Sequence, residues 1–387
     1  MDERLDAVVV GAGQSGLAAS YYLSRAGLDH AVLERGRIAE AWRSQRWDKF
    51  CLVTPNWSLA LPGWPYTGEA PDAFMAGADF VAHLEAYARS FRAPVRTGVE
   101  ALRLGRAEDG GDLLLETDAG QIRAADVVVA TSTYQSPRRP AGAEGLEAEI
   151  GQVHVGDYRN TEALPDGAVL VVGSGQSGCQ IADELNRAGR RVYLSVGDSR
   201  RLPRRYRGRD AIAWQRDMGY LDLRQMAAEG VELLGRFLGA EGTQVSFRDD
   251  LAQSLIQAEA FAVDFCRDID TFVALNGIEA PSEPPPTPAD PTVVAALAAA
   301  SPRRLDLRAA GIASVIWATG FGFDFGWIEL PIVDRFGYPA TRKGVSTEAG
   351  LYFVGLNWMH KRKSGIVYGV AEDAEWVVRH LAGRRQA

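Results

Sequence analysis

Two copies of one glycine-rich phrase contain the residues whose spacing points most directly to chemistry. In each copy, at residues 8–16 and 170–178, a β-branched apolar run is followed by glycines at relative positions 1, 3 and 6. This pattern is typical of a strand that leads through a tight turn into a helix, whose N-terminal N–H groups bind a pyrophosphate. The repeat therefore predicts two dinucleotide sites.

The first copy carries a complete dinucleotide fingerprint. Gly11 is expected to make the tight turn, Gly13 to let the backbone approach the pyrophosphate, and Gly16 to allow close helix-to-strand contact. Glu34 closes the second predicted strand, where its carboxylate can accept hydrogen bonds from a ribose 2′-hydroxyl. The alternative is a glycine turn of an α/β protein with an unrelated surface glutamate.

The second copy differs at the position that corresponds to Glu34. Its strand ends near Ser195 and Val196 without an acid, and an arginine-rich run follows. Loss of the acid together with added positive charge favours a 2′-phosphate, and hence NADPH over NADH. Two alternatives stay open: Asp198 reaches the ribose instead, or the arginines form a solvated loop. The residues expected to hold NADPH are Gly173, Gly175, Gln176, Ser177, Gly178, Ser195, Arg200, Arg201 and Arg204.

Strands and helices alternate around both glycine turns. The predicted elements are strand 7–10, helix 16–26 and strand 31–34 in the first copy, and strand 168–172, helix 178–188 and strand 192–196 in the second. Two further apolar strands are predicted at 126–130 and 314–318, and long helices at 251–275 and from about 366. Such alternation predicts parallel sheets whose strand ends carry the two turns.

Length and composition set limits on function. A chain of 387 residues exceeds one ordinary domain, so two domains are expected. The net charge of −8 disfavours nucleic acid and anionic membranes as partners, and no apolar stretch has the length of a membrane span. Because no secretory signal is recognisable, the expected location is cytoplasmic. Three scattered cysteines argue against a disulfide framework or a thiol relay, and no metal-ligand cluster or Ser-His-Asp set is recognisable, so no metal is expected.

The order of these motifs resembles that of a known family. A first fingerprint with Glu34, then Trp42-Arg43, a second fingerprint and a late Ala318-Thr319-Gly320 look like the flavin-containing monooxygenases of the two-dinucleotide-binding-domain flavoproteins. The chain also resembles the shorter bacterial FAD- and NADPH-dependent oxidoreductases of that group. The resemblance implies FAD in the first site and NADPH in the second.

The same resemblance implies the fold class and the domain boundaries. The fold class is α/β, with two Rossmann-like domains of the three-layer ββα type and the NADPH domain inserted in the FAD domain. The implied ranges are 1–160 and 304–387 for the FAD domain, and 161–303 for the NADPH domain, with a helical insertion at about 205–300.

Two family signatures are incomplete in this sequence. Flavin-containing monooxygenases usually carry Phe-x-Gly-x-x-x-His-x-x-x-Tyr or Trp before the second fingerprint. His154 and Tyr158 fit that spacing, but Ala148 and Ile150 stand at the Phe and Gly positions. The first strand-end motif reads Ala130-Thr131-Ser132, with serine at the family's usual glycine. A structural role for His154 stays open beside a catalytic one.

The activity implied by the resemblance is that of a monooxygenase. NADPH would reduce FAD, and one oxygen atom of dioxygen would pass through a flavin hydroperoxide to nitrogen, sulfur or an activated carbon of a small organic substrate. Two alternatives use the same fold: an NADPH-dependent reductase that passes electrons to an external acceptor, and a non-enzymatic flavin redox sensor. The expected partners are the substrate and dioxygen, and both a monomer and a homodimer stay open.

Residues around the first turn and at later strand ends are expected to hold FAD. They are Gly11, Gly13, Gln14, Ser15, Gly16, Glu34, Arg35, Trp42, Arg43, Val99, Ala130, Thr131, Gly320 and Gly355. In the family a loop descends beside the isoalloxazine, and the matching loop here offers Thr54 and Asn56 as candidate catalytic groups. The alternative is that both side chains satisfy backbone groups within that loop.

Overall fold

The computed structural model describes residues 3–108, 110–198, 200–203, 205–210 and 222–386, and the chain divides into two units. The first unit comprises Met1–Arg46, Pro55–Pro137 and Phe321–Ala387, and the second comprises Trp47–Thr54 and Arg138–Gly320. The second unit is therefore largely an insertion, in sequence, between parts of the first.

The strands of the described residues are named in chain order. They are β1 (Glu3–Val10), β2 (His30–Glu34), β3 (Ala60–Leu61), β4 (Trp64–Pro65), β5 (Val95–Thr97), β6 (Ala101–Arg106), β7 (Leu113–Thr117), β8 (Gly120–Val129), β9 (Ser136–Pro137), β10 (Gly151–His154), β11 (Ala168–Val172), β12 (Val192–Ser195), β13 (Arg205–Tyr206), β14 (Arg209–Asp210), β15 (Glu232–Leu234), β16 (Phe237–Glu241), β17 (Gln244–Phe247), β18 (Arg304–Asp306), β19 (Ile312–Trp317), β20 (Phe321–Gly322), β21 (Thr341–Arg342), β22 (Val345–Ser346) and β23 (Leu351–Phe353).

The helices follow the same order. They are α1 (Gln14–Arg25), α2 (Glu40–Ser44), α3 (Gly77–Ser90), α4 (Gln176–Arg187), α5 (Leu223–Ala228), α6 (Leu251–Leu275), α7 (Pro291–Ala300) and α8 (Val367–Gln386), with short 3₁₀ turns at Asn56–Ser58, Ala143–Gly145, Thr161–Ala163 and Arg362–Gly365. Across the described part of the chain, no helix has both the length and the apolar character needed to cross a membrane.

The first unit has three layers around one parallel sheet. β1 pairs in parallel with β2 and β8, and the sheet continues through β5 on one side and β23 on the other. One face of β1 packs Val8 against Leu104 and Leu113 of the antiparallel strands β6 and β7. On the other side α1 packs against α8, and Gly16 of α1 lies close to Val9. Burial on both faces explains the continuous apolar run of β1.

The second unit repeats the parallel sheet. Its strand order is β10-β19-β11-β12-β15, and all of these neighbours are parallel. Trp317 at the end of β19 is fully buried and packs edge-to-face on Phe237, which begins a separate antiparallel sheet of β16, β17 and β18. Both units thus have the predicted α/β construction.

The observed division differs from the predicted domain boundaries. Residues 138–160 and 304–320, which the prediction placed in the first domain, contribute β10, β18 and β19 to the second unit. β19 pairs with both β10 and β11, so it lies inside the second sheet. The predicted helical insertion also contains strands, because β15 extends the sheet and β16 forms a hairpin with β17.

Candidate functional site

The first glycine turn has a geometry that larger residues cannot reproduce. Gly11 has φ +107°, and a Cβ at this position would lie 2.7 Å from the carbonyl oxygen of Ala130. A Cβ at Gly16 would lie 1.8 Å from the carbonyl oxygen of Gly11. The turn therefore brings the end of β1, the end of β8 and the start of α1 together in a way that only glycine permits.

Gly13 differs from Gly11 and Gly16 because it faces open space. Within the described residues, a Cβ at Gly13 would meet no heavy atom within 4 Å, and no side chain caps the N-terminus of α1 that begins at Gln14. The first turn of α1 contains no acidic residue. Uncapped N–H groups and the positive end of the helix dipole beside open space favour an anion.

A cavity of about 610 Å³ opens at this turn. Its lining includes seven of the residues predicted to hold a dinucleotide: Gly11, Gly13, Glu34, Arg35, Val99, Ala130 and Thr131. The structure thus brings together residues from the ends of β1, β2 and β8 and from the loop after β5. An open glycine edge, an uncapped helix and a carboxylate at one cavity fit a dinucleotide.

Glu34 also ties two loops of the cavity together. Its Oε2 accepts a hydrogen bond from the Ala12 amide at 2.9 Å, and its Oε1 accepts one from the Gly36 amide at 3.0 Å. A carboxylate oxygen has capacity for further donors, so these bonds leave room for a ribose hydroxyl. Glu34 consequently has a structural task as well as the predicted one.

Other residues predicted for the first site support its walls. The indole Nε1 of Trp42 donates to Oε1 of Gln14 at 2.8 Å, and the Trp42 ring packs edge-to-face on Phe80. Arg43 forms an ion pair with Glu85, which links α2 to α3. These contacts assign Trp42 and Arg43 to the support of the turn, outside the cavity lining.

Ser15 and Gly355 meet at the start of α1. A Cβ at Gly355 would lie 2.1 Å from Oγ of Ser15, so the segment after β23 passes directly against the first turn of the helix. Gly355 also has φ +88°. The close approach and the left-handed backbone both require glycine here.

The cavity also contains residues that the sequence did not predict, some after β8 and others near position 326. Ser132 has φ +70°, a left-handed conformation that is costly for serine, and it lines the cavity. Gln135 donates to Oγ1 of Thr131 at 3.0 Å, and Trp327, from the segment after β20, also lines the cavity. The serine at the family's usual glycine was the signal that could have identified this segment.

The second glycine turn reproduces the geometry of the first. Gly173 has φ +109°, and a Cβ there would lie 2.4 Å from the carbonyl oxygen of Ala318; a Cβ at Gly178 would lie 1.9 Å from that of Gly173. Gly175 again faces open space among the described residues, and α4 begins at Gln176 without a side-chain cap or an early acid. Gln176 and Ser177 occupy the first turn of that helix.

Strand register identifies the true counterpart of Glu34. Val10 pairs with Leu33 in the first sheet and Val172 pairs with Ser195 in the second, so Val196 corresponds to Glu34. Val196 is fully buried. The second site therefore lacks the acid, as the sequence indicates.

Ser195 and Ser174 have structural roles in the second site. Oγ of Ser195 donates to the Gly235 carbonyl at 2.9 Å and accepts from the Phe237 amide at 3.0 Å, so this predicted NADPH residue holds the end of β15. Oγ of Ser174 accepts from the Gly197 amide at 3.2 Å. Ser174 therefore ties the two loops together, the task that the Glu34 carboxylate performs in the first site.

The arginines predicted to bind a 2′-phosphate have different environments. Arg200 is exposed and its guanidinium lies 5.3 Å from the centre of the Phe261 ring. Arg201 has a side chain only 10% exposed and forms ion pairs with Glu259 and Asp222. Arg204 lies outside the described residues. Asp198, the alternative ribose acceptor, forms an ion pair with Arg236.

Gly320 lies in the second unit, although the sequence predicted it for the first site. It follows β19, and Ala318 of the same segment supplies the carbonyl that approaches Gly173. Ala318-Thr319-Gly320 thus has the same relation to the second turn as Ala130-Thr131-Ser132 has to the first. The reason for the difference is that β19 belongs to the second sheet.

His154 is a buried hydrogen-bonding residue of the second unit. Its Nδ1 accepts from the Gly156 amide at 3.1 Å, so Nε2 carries the proton and donates to the Gly320 carbonyl at 3.1 Å. Burial lowers the pKa of the imidazole below its ordinary value. Nearby Tyr158 donates to Glu184 at 3.2 Å. These contacts favour the structural role for His154.

The two candidate catalytic residues belong to different units. Thr54 is buried in the second unit. Asn56 is buried in the first unit, where its Nδ2 donates to the Ala70 carbonyl at 3.0 Å. Its Oδ1 is buried and, within the described residues, has no hydrogen-bond donor. Asn56 therefore holds the loop and keeps one acceptor unused.

Comparison with known proteins gives the family. The profile of the pyridine nucleotide-disulphide oxidoreductase family matches residues 8–211. An uncharacterized CzcO-like oxidoreductase of Geobacillus kaustophilus is 32% identical over 387 residues, covering 98% of this chain and 99% of the relative. Indole-3-pyruvate monooxygenase YUCCA1 of Oryza sativa subsp. japonica is 34% identical over 193 residues, or 49% of this chain and 47% of the relative.

Solved structures share the fold over the whole chain. A flavin-containing monooxygenase from Stenotrophomonas maltophilia superposes with a TM-score of 0.69 at 20% identity, covering 99% of both chains. OTEMO, solved in complex with FAD and NADP, superposes with a TM-score of 0.59 at 17% identity, covering 100% of this chain and 87% of the other. The predicted fold class is thereby confirmed. The chain belongs to the pyridine nucleotide-disulphide oxidoreductase family, is similar over its whole length to a CzcO-like oxidoreductase, and shares its fold with a flavin-containing monooxygenase.

Proposed function

We propose that this protein binds FAD and NADPH and inserts one oxygen atom of dioxygen into a small organic substrate. The observation that carries the proposal is the pair of glycine turns with the same backbone geometry and different strand ends. Glu34 follows one turn and Val196 the other, which suits an unmodified ribose in the first site and a 2′-phosphorylated ribose in the second.

The first cavity is the proposed FAD site. Gly11 and Gly13 would receive the pyrophosphate at the start of α1, and Glu34 would accept from the adenosine ribose. Gln14, Ser15 and Gly16 continue the first turn of that helix, while Trp42 and Arg43 support it from α2. The bound flavin supplies the electron transfer and oxygen chemistry, and the protein supplies orientation and exclusion of water.

The second turn is the proposed NADPH site. Gly173 and Gly175 would receive the pyrophosphate of the coenzyme at the start of α4, by the same backbone geometry as in the first site. The apolar Val196 takes the position of Glu34, so no carboxylate stands at that position to repel a 2′-phosphate.

Cysteine chemistry argues against a thiol-dependent reductase. Cys179 and Cys266 are buried and Cys51 is half-buried, and all three are free thiols. Burial raises the pKa of Cys179 to about 12 and the pKa of Cys51 and Cys266 above their ordinary value. Since the thiolate is the reactive form, none of the three is suited to exchange with a disulfide.

The substrate class is proposed from the relatives. The indole-3-pyruvate monooxygenase that matches half of this chain favours a small organic acid as the substrate. Nitrogen, sulfur and an activated carbon stay the candidate sites of oxygenation, as the resemblance to flavin-containing monooxygenases implies. Asn56 is the proposed polar group that contacts the reacting partners, because its buried Oδ1 has an unused acceptor among the described residues.

An isotope experiment tests the function. Flavin released from a denatured portion of the purified protein is identified first. A second, native portion is reduced anaerobically with NADPH and then supplied with ¹⁸O₂ and a panel of amines, sulfides and indole acids. Mass spectrometry of a product that carries one ¹⁸O atom would support the proposal. Flavin reoxidation that requires an external carrier, with no labelled product, would favour the reductase. FAD that stays oxidised with NADPH would favour a redox sensor.

A further inference from the structure

The second unit has an arginine, Arg236, at the position where the first unit has a glycine, Gly98. β2 pairs with β5 so that Leu33 is opposite Arg96, and β12 pairs with β15 so that Ser195 is opposite Leu234. Two residues beyond these partners lie Gly98 in the first unit and Arg236 in the second.

Val99, the residue after Gly98, shows that this part of the first unit lies beside Glu34. Val99 donates its amide to the Glu34 carbonyl at 3.1 Å and lines the first cavity beside the Glu34 carboxylate. Its counterpart is Phe237, whose amide donates to Ser195. Arg236 therefore stands at the end of the second site where the adenosine ribose of a bound dinucleotide is expected.

The guanidinium of Arg236 is held at the end of β12. It forms an ion pair with Asp198, two residues after Val196, and its Nε lies 3.7 Å from Oδ2 of Asp250. The Arg236 amide donates to Oδ1 of Asp250 at 3.0 Å, which fixes the backbone. The Arg236 side chain is 38% exposed and that of Asp198 is 83% exposed, so a ligand can reach both.

Arg201 is less suited to the same task. Its side chain is 10% exposed, and Glu259 and Asp222 already balance its charge. Arg224 also pairs with both carboxylates, so Arg201 belongs to a largely buried ion-pair cluster. Moving its guanidinium toward a ligand would break two ion pairs of that cluster, which is costly. The pair of Arg236 with the exposed Asp198 costs little to exchange for a phosphate.

We propose that Arg236 determines the preference of the second site for a 2′-phosphate, and that Asp198 positions its guanidinium and opposes the phosphate. This inference rests on the proposed function. The phosphate replaces the Asp198 carboxylate as the partner of Arg236, and the apolar Val196 leaves no acid at the position of Glu34 to repel it.

Binding of two nucleotide fragments tests the assignment without turnover. The holoprotein is titrated calorimetrically with 2′,5′-ADP, which carries the 2′-phosphate, and with 5′-AMP, which lacks it. Arg236→Ala is expected to weaken 2′,5′-ADP by about 10- to 100-fold, the range of a charge-assisted hydrogen-bonding pair, and 5′-AMP by less than about twofold. Asp198→Asn is expected to strengthen 2′,5′-ADP.

Arg248→Ala is the matched control, because Arg248 is an exposed arginine that also lies near Asp250, at 4.0 Å. It should leave both fragments unaffected. Unchanged 2′,5′-ADP affinity in Arg236→Ala, or an equal loss for both fragments, would overturn the assignment. If the wild-type protein binds 5′-AMP as tightly as 2′,5′-ADP, the role of Arg236 in 2′-phosphate preference is overturned. The proposal of a dinucleotide site at the second turn would then still stand. Binding of neither fragment removes the NADPH site and the proposed function with it.

Discussion

Replacing Gly13 with alanine should weaken FAD binding about 100-fold while leaving the fold intact. A Cβ at this position would meet no described heavy atom within 4 Å, and the backbone has φ −82°, which alanine adopts without strain. The new methyl group would occupy the space beside the uncapped start of α1, where the pyrophosphate must approach. Gly175→Ala is a matched change, since Gly175 has φ −70° and equally open surroundings at the start of α4.

The magnitudes follow from the contacts at stake. Alanine at a helix N-cap costs about 1 kcal/mol of stability, and the cost is the same for both variants. A methyl group that displaces the phosphate weakens two charge-assisted N–H bonds, each worth about 1.5–3 kcal/mol. A net loss of about 3 kcal/mol corresponds to a dissociation constant about 100-fold higher.

The assay uses both sites in both variants. FAD binding to apoprotein is followed by flavin fluorescence, 2′,5′-ADP binding by calorimetry, and the unfolding temperature is measured without ligand. Gly13→Ala should lose FAD affinity and keep that for 2′,5′-ADP, whereas Gly175→Ala should do the reverse.

Two results would refute this reasoning. FAD affinity within about threefold of wild type in Gly13→Ala would mean that the pyrophosphate does not approach this edge, since a retained methyl clash is worth more than 1 kcal/mol. A fall in the unfolding temperature of the ligand-free Gly13→Ala protein well beyond that of Gly175→Ala would mean that the space around Gly13 is not open.

Three further substitutions test separate parts of the structure. Ser132→Gly should raise the free energy of unfolding by about 0.5 kcal/mol, because relief of a left-handed serine slightly exceeds the added chain entropy of glycine; denaturant unfolding that shows a loss contradicts this. His154→Phe should cost about 2 kcal/mol through two lost hydrogen bonds. Burial holds the pKa of His154 below its ordinary value, so its contribution to stability is complete above that ordinary value and falls as the pH drops toward the folded pKa. The free energy of unfolding should therefore differ less between pH 5 and pH 8 in the variant than in the wild type. Asn56→Ala should retain FAD but reduce product formed per NADPH oxidised; unchanged coupling removes Asn56 from the site.

The glycine turns and Glu34 could be predicted from the sequence because their requirements are local. A tight turn needs glycine at fixed spacing, and the acid at the next strand end follows within one βαβ unit. The cavity at the first turn gathers Glu34, Arg35, Val99 and Thr131 as the motif implies.

Long-range partners explain what the sequence could not show. Arg201 was predicted beside a phosphate, but its environment depends on Glu259, which lies 58 residues later on α6. The family resemblance assigned Gly320 to the first site, and only the pairing of β19 with β11 shows that this glycine follows a strand of the second sheet. Arg236 had no signal at all, since its position emerges only from the register of β12 and β15.

Different residues hold the loops together in the two sites, Glu34 in the first and Ser174 in the second, and this difference determines which substitutions each site tolerates. In the first, the Glu34 carboxylate holds both loops and lines the cavity, so any substitution of Glu34 that alters the proposed ribose contact also loosens the turn. In the second, Ser174 holds the loops, while Val196 is buried and the exposed Asp198 pairs with Arg236. The proposed coenzyme preference of the second site is therefore open to redesign at the exposed Asp198 at a small cost in stability. The proposed ribose contact of the first site cannot be changed without loosening its turn.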